Sequence, residues 1–433
     1  MSAITSASSL PVKQAIYAKI SWRLLPQLIL CYLFAYLDRI NIGFAKLQMQ
    51  ADIGLSDAAF GIGAGIFFLG YMLFEIPSNL LLPKLGARKT LGRIMVLWGL
   101  TSAAMLFVHD VKMFYALRFL LGVFEAGFAP GMVFYLTCWY PQARMARVMA
   151  IVMAAAPLGG LVGGPLSTWV MTALNGSSGL AGWQWMFLIE GLPCVLLGAV
   201  VFFFLDDRIE TAQWLSNDEK AMLTANLDRH EGSHRGFRHV LTDPRVYAMA
   251  FAYFCLICGI YAVSFWLPTI VKSGGVSNLM TIGLLSSLPY VVAVCAMFIV
   301  SRSSDLRQER RWHSAITAAV GACALAIAAF TIGQLWTSLI SITIATAMMW
   351  ASYTVFWAMP SQYLKGNVAA GGIALINTLG LLGGFISPTV IGLVKSITGS
   401  MQIALIPTVV LLLLAALTLV ANRFPSKSER LRS

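Results

Sequence analysis

The sequence predicts an all-α polytopic membrane protein of twelve transmembrane helices, arranged as two six-helix bundles with both termini in the cytoplasm. Three observations carry that expectation. First, the 433 residues are 58% hydrophobic and only 11% charged, with a mean hydropathy of +0.78. A water-soluble domain carries roughly 25% charged residues, so most of this chain's outer surface must face lipid. Second, twelve apolar runs approach the about 20 residues that a bilayer crossing needs. Third, Lys and Arg fall almost wholly on one side of those runs.

In chain order the spans are 24–45, 60–82, 90–108, 113–139, 145–172, 184–205, 245–271, 279–300, 314–333, 336–360, 368–394 and 401–421. The first is long and carries Asp38-Arg39, and the preceding MSAITSASSLPVKQ lacks an apolar core and a cleavage site. It therefore reads as a span and not as a signal peptide. The longest polar stretch divides the spans six and six. The expected organisation is a first bundle at 1–205, a cytoplasmic linker at 206–243 with a short interfacial helix, and a second bundle at 244–433. The halves repeat weakly: NLLLPKLGARK (79–89) aligns with SRSSDLRQERR (301–311), and GGLVGG (159–164) with Gly380, Gly383 and Gly384. Such parallel repeats place a solute site at the midplane between halves that rock.

Of the 30 Lys and Arg, 24 lie on the side of the termini, two (Arg39 and Arg118) lie within spans, and only Lys46, Lys112, Lys272 and Lys395 lie opposite. This asymmetry puts the termini in the cytoplasm. It also disposes of a nucleic-acid reading of the net charge of +12, because the basic residues are topology determinants and the surrounding partner is a lipid bilayer. Seven cysteines, an odd number, lie inside or beside apolar runs, which speaks against a disulfide framework. Cys255 and Cys258 read as packing residues despite their CxxC spacing. GIGAGIFFLG (61–70) resembles a nucleotide loop but sits inside a span, where it reads as close helix packing. No HExxH, GxSxG or Walker motif occurs, so an intramembrane enzyme is the least supported class.

Chemistry is concentrated in five ionisable residues placed deep in spans: Asp38, Arg39, Glu75, Arg118 and Glu125. Each costs about 2.5–3.5 kcal/mol at the bilayer centre, so they must face one another or a wet cavity. Spans seven to twelve offer instead polar and aromatic groups such as Tyr261, Tyr353, Trp357, Gln362 and Asn377. Asp38 and Arg39 point about 100° apart around their helix, so the carboxylate can face a neighbouring helix while the guanidinium reaches the cavity. Arg binds carboxylates bidentately and stays protonated. A carboxylate beside it acts as a switch: ionised, it occupies the Arg; protonated, it frees the Arg for a substrate anion. Asp38 and Glu125 are the expected proton carriers and Arg39 the anion ligand. Arg118, two turns from Glu125, is either a second substrate ligand or Glu125's fixed partner. Glu75, followed by Pro77, Ser78 and Asn79, reads as structural, and Tyr71 one turn earlier can donate into the cavity.

These motifs resemble one family. YLDRINIGFA (36–45), GYMLFEIPSN (70–79), LRFLLGVFEAGFAPG (117–131), GWQWMFLIEG (182–191), FWLP (265–268), VFWAMPSQYL (355–364) and ALINTLGLLGGFISP (374–388) together resemble the anion:cation symporter branch of the major facilitator superfamily, across nearly the whole chain. That branch includes bacterial hexonate, tartrate, phthalate and hydroxyphenylacetate permeases. The resemblance implies alternating access, proton uptake at Asp38 and Glu125, and a substrate-carboxylate contact at Arg39. It also implies that Tyr36, Tyr71, Trp357 and Asn377 line the cavity. The sequence departs from the branch in two places: Pro83-Lys84 replaces the usual acidic residue and Arg of the first cytoplasmic loop, and span seven has no Arg.

The resulting expectation is a monomeric, multi-pass inner-membrane symporter that imports a small organic carboxylate with protons as coupling ion and no cofactor. The rivals are a proton antiporter or exporter of the same fold and a non-transporting nutrient sensor.

Overall fold

With no water in the bilayer core, each span must close its own backbone hydrogen bonds, and apolar runs of this length do so as helices. The computed structural model describes residues 9–227, 241–364 and 367–422, without side chains at 9–12, 142, 143, 146, 361, 362 and 367–370. Both chain ends, the middle of the linker and the Gln362 side chain lie outside that description. Twelve helices among the described residues are long and apolar enough to cross a membrane: Lys13–Asp52, Asp57–Leu85, Ala87–Phe107, Val111–Thr137, Arg147–Ala173, Gly182–Phe204, Pro244–Ser273, Leu279–Arg307, Arg311–Phe330, Leu335–Pro360, Gly371–Thr398 and Met401–Ala421. They are called spans one to twelve below. Side-chain caps start several of them. Ser56 accepts from the Ala59 N–H at 3.1 Å, Asp110 from Met113 at 2.7 Å, and Asn278 from Thr281 at 2.9 Å, each satisfying an amide that has no partner in the first turn.

Packing repeats with the chain. Span one lies against five and six, two against four, and three against four and six. Span seven lies against eleven and twelve, eight against ten, and nine against ten and twelve. Adding six to each member of the first set gives the second, as a parallel repeat requires. The contacts between the sets, two with eleven, five with eight and one with seven, also map onto themselves under that rule.

Close approach between the sets depends on glycine. A Cβ on Gly61 would sit 2.3 Å from the Pro388 carbonyl oxygen, and one on Gly164 2.6 Å from that of Gly283. GIGAGIFFLG is thereby a packing element: Gly61 and Gly65 face span eleven, while Gly63 and Gly70 face span four. The contacts of spans two with eleven run from Asp57 and Gly392, at the end away from the termini, to Glu75 and Asn377 near mid-depth.

A charged lock closes that far end. Lys46, fully buried, donates to Asp57 at 2.6 Å, and Lys395 of span eleven reaches the other Asp57 oxygen at 3.1 Å. The Lys46 ammonium also lies 3.8 Å from the ring centre of Trp266 in span seven, a cation–π distance. One carboxylate thus holds lysines from both sets. The ion pair that crosses the sets, Asp57–Lys395, has side chains 21% and 18% exposed, and a pair of that kind is worth on the order of 1 kcal/mol. Asp57→Asn is therefore expected to move the balance of conformations about fivefold away from this one. Spin-label distances across the Asp57 end report this, and unchanged distances would contradict the lock.

In the linker, the helix Asn217–Asn226 starts with a capping box between Ser216 and Glu219, and Glu219 also accepts from Lys19 at 2.9 Å. The Ser216 backbone N–H and Lys19 hold the Glu219 carboxyl below its usual range. Its contribution to linker docking is therefore present at neutral pH and is lost as pH falls through that lowered value.

Candidate functional site

The site is organised at two helix junctions. In span one, Ser9–Ile40 and Ile42–Asp52 meet at Asn41, whose own backbone stays helical at φ −56° and ψ −27°. Span four breaks at Ala126 and Gly127, where Gly127 takes φ 87°, a left-handed value open to glycine. A Cβ there would lie 2.5 Å from the Ser78 hydroxyl. The first piece of span four therefore ends on Glu125, so the carbonyl end of a helix and a carboxylate present negative charge together.

Arg39 meets both. Its guanidinium is ion-paired with Glu125 and donates to the Tyr261 hydroxyl of span seven at 2.8 Å. Its central carbon lies 5.2 Å from the ring centre of Phe67 and 5.7 Å from that of Tyr71. Only 13% of the Arg39 side chain is exposed and 1% of that of Glu125. The second Glu125 oxygen and the Arg39 Nε have no hydrogen-bond partner among the described residues. One guanidinium thus bridges the first and last six spans through a carboxylate on one side and a phenol on the other.

Asp38 points the other way, as the 100° offset requires. Its Oδ1 accepts from the Ser102 hydroxyl of span three and from Asn41 Nδ2 at 3.2 Å, and Oδ2 has no hydrogen-bond partner among the described residues. The same Asn41 amide donates to Glu190 of span six at 3.0 Å, and the Ser167 hydroxyl donates to the other Glu190 oxygen at 2.7 Å. Glu190 is a correction to the sequence reading, which counted five deep ionisable residues. It is a sixth, 1% exposed, and its only sequence signal is one acid inside the apolar run MFLIEGLP. The buried Lys46 was likewise read as a loop lysine, whereas helix Ile42–Asp52 carries it inward to Trp266.

The other expected residues divide. Arg118 is fully buried. Its Nε donates to the Gly63 carbonyl at 3.2 Å, and it has no carboxylate within salt-bridge distance among the described residues. Tyr36 shares a hydrogen bond with Ser264 of span seven at 3.3 Å, and Tyr290 of span eight donates to the same hydroxyl at 3.2 Å. Tyr71 packs on Phe67 beside Arg39. Trp357 stands edge-on to Tyr253, with ring centres 4.9 Å apart. Asn377 accepts from the Tyr253 hydroxyl at 3.4 Å and donates to Glu75 at 3.1 Å. The expected cavity residue Asn377 and the expected structural residue Glu75 therefore bond to each other across the two sets of spans.

Twelve spans, packed as a repeat around a mid-depth Arg–carboxylate pair, define a membrane transporter. The chain belongs to the major facilitator superfamily: a family model described as Major Facilitator Superfamily matches residues 28–388. A protein of Agrobacterium vitis named a tartrate transporter is 47% identical over 94% of this chain and 94% of its own. A Pseudomonas putida protein named a metabolite transport protein, NicT, is 44% identical over 90% and 91%. A quinolone resistance transporter of Acinetobacter baumannii is 41% identical over 89% and 90%. Among solved structures, a bacterial homologue of the human lysosomal transporter Spinster, inward-facing and occupied, superimposes with a TM-score of 0.75 at 16% identity, over 92% of this chain and 96% of that one. A D-xylose–proton symporter gives 0.72 at 16% identity, over 92% and 97%; both establish the fold.

Proposed function

We propose that the protein is a proton-coupled symporter that imports a small organic carboxylate through the inner membrane as a monomer, with both termini cytoplasmic. The Arg39–Glu125 pair carries this reading. A guanidinium at mid-depth selects anions, and a carboxylate able to occupy or release it links anion binding to a proton. The relatives named for tartrate and metabolite transport support an anionic metabolite as substrate. With the termini inside, the end closed by Asp57 faces outward, and the pairing of Arg39 with Glu125 corresponds to a carrier that has released its anion inward. In the outward-facing state protons reach Glu125 and Asp38, Arg39 is freed and the anion docks. In the inward-facing state the protons leave and Glu125 displaces the anion. A 100 mV potential contributes about 2.3 kcal/mol per net charge moved inward, roughly fiftyfold accumulation.

The test is a thermal-shift screen of purified protein against sugar acids, tartrate and aromatic acids, followed by uptake of the hits into vesicles. Stabilisation by at least one carboxylate, and its accumulation only when the outside is acidic, are expected. Hits confined to cations, or uptake indifferent to the pH gradient, would overturn the reading. The relative named for quinolone resistance favours an exporter of the same fold as a second reading. Quinolone efflux driven by an inward proton gradient, without carboxylate uptake, would establish it.

A further inference from the structure

The mid-depth charges of spans one to six do not balance. Four carboxylates (Asp38, Glu75, Glu125 and Glu190) stand against two guanidiniums, Arg39 and Arg118. Glu125 takes Arg39. Glu190 has no basic group within salt-bridge distance among the described residues, only two neutral donors, Ser167 and Asn41. A buried ionised carboxylate with no cation beside it costs several kcal/mol. Its neighbours offer no relief. Span six packs on spans one, three and five. The titratable groups facing Glu190 are Asp38 from span one and Cys194 from its own helix, while spans one and five contribute the Asn41 amide and the Ser167 hydroxyl. None of these is a cation.

The Asn41 amide is the connection. It gives one N–H to Asp38 at 3.2 Å and one to Glu190 at 3.0 Å, so two buried carboxylates lie on either side of a single nitrogen. Like charges so placed titrate as a pair, not as independent acids. Asn41, at the junction of Ser9–Ile40 and Ile42–Asp52, holds this amide between its own helix and span six.

We propose that Glu190 is a proton-binding carboxylate coupled to Asp38 through Asn41, and so a positioning residue for proton uptake beside Asp38 and Glu125. This rests on the proton-symport reading above. Protonated, Glu190 leaves Asp38 free to ionise; ionised, it holds the proton on Asp38. The proton leaves the pair once, from whichever oxygen carries it, and returns to water.

Glu190→Gln is the test. The amide keeps the shape, its carbonyl accepts from Asn41 and its NH2 donates to Ser167, but it binds no proton. With its negative neighbour removed, Asp38 loses its proton at lower pH. The alkaline limb of carboxylate uptake is then expected to move down by about one pH unit, with KM at acid pH unchanged and Glu190→Asp restoring the parent profile. A superimposable profile would leave Glu190 a structural acceptor and overturn the proposal. Where Glu190→Gln fails to assemble, Asn41→Ala removes a donor from both carboxylates and is expected to move the limb upward; an unmoved limb overturns the coupling. Infrared spectra of the reconstituted protein need no transport. Loss of one protonated-carboxyl band in Glu190→Gln supports the proton on Glu190, and a full complement of bands overturns it. Loss of that band in a protein whose parent shows no pH-driven uptake would sink the symport reading and leave Glu190 as a proton site.

Discussion

Arg39→Lys is expected to weaken carboxylate binding about ten- to hundredfold, and Arg39→Gln to abolish it. The guanidinium holds Glu125 and the Tyr261 hydroxyl at once, from nitrogens fixed in one plane. An ammonium is a point charge that cannot present the same fork to a carboxylate. Losing one charge-assisted bond costs about 1.5–3 kcal/mol, which gives the stated range. Arg39→Gln goes further, because it leaves Glu125, 1% exposed, without its counter-ion, a loss of about 3–5 kcal/mol. Its melting temperature is then expected to fall at neutral pH and recover on acidification, as the carboxyl takes a proton in place of the lost cation. Calorimetric titration with a hit from the thermal screen measures the first effect, and melting curves at several pH values measure the second. Parent-like affinity in Arg39→Lys would remove Arg39 from the substrate site.

Glu125→Gln is expected to separate binding from coupling. The amide keeps the volume of the side chain but does not compete for Arg39 as a charge, so Arg39 stays available to the anion throughout the cycle. Exchange of labelled for unlabelled substrate should persist within a few-fold. Accumulation driven by a gradient of one pH unit should collapse from about tenfold per coupled proton to equality of inside and outside. Counterflow and gradient-driven uptake in the same vesicles distinguish the two. Retained accumulation would place the coupling proton elsewhere. Asp38→Asn is expected to differ, because Asp38 touches Ser102 and Asn41 and has no contact with Arg39's guanidinium partners. Its effect should appear mainly in the pH profile.

The number and order of the spans were legible because hydropathy is local. A helix in lipid satisfies its own backbone, so each run declares itself without its neighbours. The opposite directions of Asp38 and Arg39 were legible for a similar reason, since helix geometry fixes the angle between adjacent residues. Glu190 was passed over because it is a single acid early in its run, and only the packing of span six against spans one, three and five makes it deep. The sequence places Lys46 just beyond span one, because its depth depends on a helix that continues past Asn41 and on the Trp266 ring it meets from the other set of spans.

Taken alone, the sequence determined a twelve-span membrane protein, the asymmetry of its basic residues, and the residue types at its centre: an Arg and carboxylates in one half facing aromatic and amide groups in the other. The tertiary structure decided the partners. Arg39 pairs with Glu125, 86 residues away, and with Tyr261, 222 residues away. Asp38 is tied instead to Glu190 through Asn41, and Asp57 is shared by lysines from both halves. Composition and hydropathy fix which segments span the bilayer, because each helix in lipid satisfies its own backbone. Which charge meets which depends on how distant helices cross, and that is set by the glycine contacts and helix breaks of the assembled fold.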